Sequence, residues 1–192
     1  AEALASLKNS ISSRLIIISI AAGVPSTFFT SILGDNIRLI RSMPNAAAMV
    51  GKSATAICAA AMASEDDMKV AEDFFSAIGE VVIVNEKLMN AVTALSGSGP
   101  GYLFTIMEAL SDAGVLAGLS RDVSRKLAVQ TVVGSAAMAL NKDLSFSNLK
   151  DSITSPGGTT ISGLRVMERA GVRGILMDAV EAAKKRADEL MN

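Results

Sequence analysis

The chain has 192 residues, half of them hydrophobic but only 4% aromatic, with no histidine, no tryptophan and a single cysteine. These counts exclude a Ser-His-Asp or Cys-His relay, a histidine-ligated zinc site, a thiolate metal cluster and an internal disulfide, so no metal site is expected and any proton transfer must use Thr, Tyr, Lys, a carboxylate or water. Eighteen basic against nineteen acidic side chains leave a net charge of −1, which provides no footprint for nucleic acid or for an anionic membrane and suits a small neutral or zwitterionic ligand.

The longest apolar run, Leu15 to Val24, is broken by Ser19 and Gly23 and falls short of the roughly 20 residues of a bilayer-spanning helix. Glu2 at the very start, and a Gly-Val-Pro turn where a cleavage site would stand, argue against a secretion signal. One Cys and ten Met make a cytoplasmic protein the default expectation.

Within the run, Arg14 to Ile20 is a continuous β-branched segment, as expected of a central parallel strand covered on both faces. The Gly23-Val24-Pro25-Ser26 turn leads to a helix over Ser26 to Leu33 that Gly34 stops. Ile37 to Arg41 is the next strand, ending at Ser42-Met43-Pro44-Asn45, and loops at the carboxyl ends of parallel strands are where α/β sheets place ligands. Ala54 to Ala60 and Val81 to Val84 read as strands flanking a helix from Ser64 to Ile78, capped by Ser64 and ended by Gly79. The alternation predicts a parallel sheet.

From Glu86 on the pattern is helical: Glu86 to Leu95, Gly99 to Leu116, Arg121 to Leu140, a short piece near Ser147, Ile161 to Ala170 and Val172 to Met191. The expected division is therefore residues 1–90, an α/β part, and residues 91–192, an all-helical domain. Val123 to Leu140 is apolar around much of its circumference, and in so small a domain a partner chain covers such a helix more readily than the domain itself. An obligate oligomer is expected; a covered core helix in a monomer is the alternative.

Gly97-Ser98-Gly99-Pro100-Gly101 looks like a phosphate loop, but it follows a helix and Pro100 suits the first position of the next one. It reads as a helix-to-helix connection whose N–H groups and serines, Ser96 and Ser98, face a ligand, or as a plain hinge. The stretch from Lys150 to Thr160 sets hydroxyl residues around Pro156-Gly157-Gly158 just before a helix, so backbone N–H groups and Thr hydroxyls can converge on a carboxylate. An ordinary turn with a Thr cap is the alternative. Glu86 opens a helix, where a carboxylate is also favoured by the helix dipole alone, and Glu108 lies in an apolar helix with a surface position as its plain reading.

In order along the chain, Ser19-Ile20-Ala21-Ala22-Gly23-Val24, Arg41-Ser42-Met43-Pro44-Asn45, Gly51-Lys52-Ser53-Ala54-Thr55, Asn90 to Pro100 with Tyr102, Glu108 through Gly114 to Leu119, and Thr154-Ser155-Pro156-Gly157-Gly158-Thr159-Thr160 with Gly163-Leu164 together resemble the pyrroline-5-carboxylate reductase family. The resemblance implies an α/β N-terminal remnant of a Rossmann-type parallel sheet, followed by an all-α domain that interlocks with a second subunit as a homodimer, and in the family often as a larger ring of dimers. It implies reduction of L-1-pyrroline-5-carboxylate to L-proline with NADPH or NADH, the last step of proline biosynthesis. Ala21, Ala22 and Gly23, Met43, Pro44 and Asn45, and Ser96 and Ser98 would lie along the cofactor. Ser155, Gly158, Thr159 and Thr160 would receive the substrate, Glu86 would contact it from the opening of its helix, and Thr160 would act nearest the ring nitrogen.

The family's Asp-Asn-Val lead-in is here Asp151-Ser152-Ile153, so no cofactor contact is carried over to Ser152. The family's opening strand, glycine-rich turn and helix have no counterpart, and a fragment that binds NAD(P)H poorly is expected. Two other readings stay open. One is a hydroxyacid-dehydrogenase-like enzyme, which should carry a Lys at the centre of its helical domain; the other is a cofactor-binding-deficient oligomerisation module.

Overall fold

The computed structural model describes Leu4, Ser6, Ile11, Ser12 and residues 14–140 and 143–190. The chain divides into two compact units, one running up to Pro100 and taking in the residues from Ala179 on, the other spanning Gly101–Asp178. The expected division is at residue 90; the compact units part after Pro100, and the end of the last helix belongs to the first unit.

In the first unit, β1 (Ile16–Ser19), β2 (Arg38–Met43), β3 (Ser53–Ala61) and β4 (Gly79–Ile83) form one sheet in chain order. β1 pairs with β2 in parallel through α1 (Ser26–Leu33), and β3 with β4 in parallel through α2 (Glu65–Ser76). The expected parallel sheet is thus present in two of its three strand pairs, and only the central pair, β2 with β3, departs from it as an antiparallel one. Its connection is the 3-10 turn Ala46–Val50 closed by Gly51 in the left-handed conformation, shorter than the dozen or so residues a parallel crossover requires.

Alternation along β2 sends Leu39 to one face, with Phe29 of α1, Ile37 and Ala60, and Ile40 to the other, with Ile57, Met68, Ala71 and Phe75 of α2. The result is a three-layer α/β/α unit whose central strands are buried. Ser64 caps α2 as expected, and Asp67 completes a reciprocal capping box while also holding Arg38 of β2. The hydrogen bonds from Arg38 and from the Ser64 amide hold the Asp67 carboxyl well below the usual carboxylate range. Gly79 does not end α2, which stops at Ser76. Gly79 opens β4, where a Cβ would run into the backbone of Ser53.

The segment expected as one helix from Glu86 to Leu95 is three short pieces: a 3-10 turn Glu86–Leu88, α3 (Met89–Val92) and a π-helical turn Thr93–Gly97. Gly23 has φ +72° and is buried, and a Cβ there would stand 3.2 Å from Cβ of Leu190 and 3.3 Å from the carbonyl oxygen of Ala187.

α4 (Gly99–Leu116) leads into the second unit, which continues through α5 (Arg121–Ala139), α6 (Phe146–Ser152), α7 (Thr159–Arg169) and α8 (Val172–Glu189). Met191, the expected end of α8, lies outside the described residues. α4 and α5 approach closely at small residues: Ser124 Oγ donates to the Ser111 carbonyl, and a Cβ on Gly114 would collide with the Ser124 side chain. Among the described residues of this unit the buried ones are Ser111, Ser124 and Ala128, while Phe104, Leu116, Leu127, Val133 and Phe146 are exposed. No helix among the described residues is long and apolar enough to cross a membrane.

Gly23→Ala should destabilise the protein by about 1–3 kcal/mol, because it adds a side chain at positive φ and overpacks α8. Urea unfolding read by circular dichroism measures this, with Gly34→Ala as the comparison: it shares a positive φ but has open space around it.

Candidate functional site

β1 and β2 are parallel, so the loops after them open at the same end of the sheet. After β1, Ser19 Oγ accepts the amide of Ala21, and Ala21 and Ala22 are exposed; Gly23 turns inward against α8. After β2, Asn45 caps the 3-10 turn through Oδ1, which accepts the Ala47 amide at 3.2 Å. Its own amide donates to Ser53 Oγ at 3.2 Å, and its Nδ2 donates to the Ser96 carbonyl at 3.0 Å. A Cβ on Gly97 would come within 2.8 Å of Met43 Cε.

The loop Met43–Asn45 and the turn Ser96–Gly97, far apart in sequence, are therefore one structural feature. The hydroxyls expected to face a ligand turn back into the helix instead: Ser96 Oγ donates to the Val92 carbonyl and Ser98 Oγ to that of Thr93. The exposed small residues after β1 and the half-buried Met43–Asn45 loop stand beside two adjacent strand ends, the place where α/β sheets hold ligands.

Glu86 opens the 3-10 turn Glu86–Leu88, as expected, and its carboxylate is held by other elements of the first unit. Its Oε1 accepts the Ser26 amide at 2.7 Å and Arg41 Nη1 at 3.0 Å, and its Oε2 accepts Ser26 Oγ at 2.7 Å. The carboxylate is engaged by intrachain donors: it satisfies the start of α1, which Pro25 cannot cap, and it neutralises buried Arg41. Burial alone would push the Glu86 carboxyl up, but the Ser26 and Arg41 hydrogen bonds outweigh it and its pKa lies below the ordinary value. Burial raises the pKa of the nearby Cys58 thiol, and the Glu86 charge adds to the rise, so the one cysteine is kept protonated. Arg41 was legible as a functional position only as a charge inside the apolar run Leu39-Ile40-Arg41, since a charge buried in a strand requires a partner.

In the second unit, Ser155-Pro156-Gly157-Gly158 is a turn in which Gly157 has φ +67° and the Gly158 amide donates to the Ser155 carbonyl at 3.0 Å, the type II arrangement that Pro-Gly favours. Gly158, and not a Thr as in the alternative reading, is the cap residue of α7, and a Cβ on it would collide with Ser155 Oγ. Thr154 Oγ1 donates to the Lys150 carbonyl at 2.7 Å and pins the lead-in. Thr159 and Thr160 thus form the first turn of α7, where backbone N–H groups lack helical partners. A cavity of about 500 Å³ between α6 and α7 is lined by Lys150, Thr154, Ser162 and Arg165, and it takes in none of Ser155, Thr159 or Thr160. Glu108 is exposed, as its plain reading has it.

A family model described as pyrroline-5-carboxylate reductase dimerisation matches residues 86–190. A pyrroline-5-carboxylate reductase of Methanosarcina acetivorans is 46% identical over 187 residues, 97% of this chain and 69% of that relative. The chain belongs to the pyrroline-5-carboxylate reductase family. Among solved pyrroline-5-carboxylate reductases, that of Coxiella burnetii superposes with a TM-score of 0.94 at 37% identity, covering all of this chain and 72% of that one. That of Plasmodium falciparum, solved with NADP bound, gives a TM-score of 0.92 at 34% identity and covers all of this chain and 77% of its own. Similarity of this kind to members of the family extends over both units, so the Rossmann-type sheet and the helical dimerisation domain both carry the family fold.

Glu86→Gln should lower stability at neutral pH by about 1–3 kcal/mol, since it leaves Arg41 buried without its countercharge. The folded-state pKa of Glu86 is depressed, so its contribution is full above the ordinary value of 4.5 and is lost as pH falls through the folded value. Unfolding curves of the two proteins should therefore converge on the acid side of pH 4.5; a difference independent of pH would contradict this.

Proposed function

We propose that this chain supplies the substrate-binding and dimer-forming parts of a reductase that converts L-1-pyrroline-5-carboxylate to L-proline with NADPH or NADH. The observation that carries the reading is the Ser155–Gly158 turn at the start of α7, set in a chain 46% identical to a named reductase over 97% of its length. A helix N-terminus presents unpaired N–H groups and a partial positive charge, which suit the substrate carboxylate. Ser155, Gly158, Thr159 and Thr160 are the residues assigned to it, the glycine because any side chain there would fill the turn.

Ala21, Ala22, Met43 and Pro44 are assigned to the cofactor, with Gly23, Asn45, Ser96 and Ser98 shaping the loops around it. When bound, a reduced nicotinamide supplies a hydride. The imine carbon C5 accepts that hydride and the ring nitrogen carries a proton, so one hydride and one proton give proline with no metal or nucleophile required. A Thr hydroxyl is too weak an acid to protonate an imine at neutral pH. The substrate therefore enters as the iminium, and Thr160 orients its N–H by accepting a hydrogen bond.

The second unit leaves Phe104, Leu127, Val133 and other large apolar side chains uncovered within the chain, and a second copy covers them in a homodimer. The test of the reaction is conversion of L-1-pyrroline-5-carboxylate to proline, followed by loss of NADPH absorbance. Thr160→Ala should lower kcat about 100-fold with the helical content unchanged. Unchanged turnover would remove Thr160 from the mechanism. A chain that dimerises yet shows no saturable NADPH binding would favour the oligomerisation module over the enzyme.

A further inference from the structure

Pro100 has no backbone N–H. In an uninterrupted helix its amide would be the donor to the carbonyl four residues back, that of Ser96. The chain compensates twice. The helix widens into the π-helical turn Thr93–Gly97, where the Ser98 amide donates five residues back to the Thr93 carbonyl at 2.9 Å. The Ser96 carbonyl accepts instead from Asn45 Nδ2, a residue 51 positions away in the loop after β2.

Asn45 is itself fixed at two further points. Its Oδ1 holds the Ala47 amide, and its own amide donates to Ser53 Oγ, which lies 2.9 Å from Thr55 Oγ1 in a buried hydroxyl pair. Gly97 and Met43 then meet at a distance that any residue larger than glycine would have to push apart.

We propose that Asn45 is a positioning residue of the reductase: its carboxamide replaces the amide that Pro100 lacks, and the bond fixes the Gly97–Gly99 turn against the Met43–Pro44 loop. With both of its side-chain polar atoms engaged inside the chain, Asn45 acts by placing these two segments rather than by touching the cofactor. The positioning role rests on the reading under Proposed function; the bond itself does not.

The decisive comparison is Asn45→Asp, alone and combined with Pro100→Ala, in the 192-residue chain. Aspartate keeps the acceptor for Ala47 but cannot donate to Ser96, and Pro100→Ala restores the missing backbone donor. Amide exchange at Ser98 should quicken about 5-fold in Asn45→Asp and return to the original rate in the double variant, as expected for one lost and regained hydrogen bond. Unaltered exchange, or a loss that Pro100→Ala does not recover, overturns the proposal. If Asn45→Asp does not fold, Asn45→Ser, which can cap Ala47 but is too short to reach Ser96, takes its place with the same two outcomes.

In turnover assays the KM for NADPH should rise about 5-fold in Asn45→Asp, with the KM for L-1-pyrroline-5-carboxylate unchanged and with rescue by Pro100→Ala. Equal changes in both KM values would reduce Asn45 to a structural residue. Absence of proline formation by the unsubstituted protein would count against the proposed function, while the exchange result would still decide the bond.

Discussion

A helical unit with almost no large side chain buried inside it cannot be stable on its own terms. Within Gly101–Asp178 the described residues that reach full burial are two serines and an alanine, gathered where α4 crosses α5. The small residues let those helices approach closely but remove little apolar area from water, and hydrophobic stabilisation scales with that area. Large apolar side chains along α4, α5 and α6 point away from the chain. The unit's stability therefore has to come from a surface that a second molecule supplies, which is the physical content of its membership in a dimerisation family. The turn proposed for the substrate begins a helix of this same unit.

The first unit works by the opposite principle. Its central strands β2 and β3 are buried on both faces, and its charged groups are tied into them: Arg38 to Asp67 at the start of α2, and Arg41 to Glu86, which holds the start of α1. In each case a strand arginine meets a carboxylate that also satisfies a helix N-terminus, so one anion serves both the helix ends and the strand charges. Breaking the Arg41–Glu86 pair would leave buried Arg41 without its countercharge and the Ser26 amide without its acceptor at the same time. The rigidity that results sets the strand ends, and hence the loops Ala21–Gly23 and Met43–Asn45.

Much of this was legible in the sequence because the signals were local. The helix after Pro25, the Ser64 cap and the Pro-Gly turn before Thr159 each depend on neighbours a few residues away, and each lies where the pattern put it; the β-branched run at Ile16 is a strand as expected, but among the described residues it is a half-buried edge strand and not the central one covered on both faces. The antiparallel β2–β3 pair was not legible, because periodicity reports which residues are buried and is silent on strand direction. Its cue was the short connection through Ala46–Val50. The partners of Glu86 were not legible for a related reason: Ser26 and Arg41 lie 60 and 45 positions away, and no local pattern encodes such contacts. The Pro100 signal was half-read. Proline at a helix start is ordinary, but the carbonyl it leaves behind at Ser96 had to find a donor, and that donor came from the other side of the unit.

Sedimentation equilibrium of the chain over a range of concentrations tests the central claim most directly. The account predicts a species of twice the 19.8 kDa chain mass, with thermal unfolding that rises in temperature as concentration increases. A 19.8 kDa species that keeps its helical signal, and whose unfolding temperature does not depend on concentration, would contradict it.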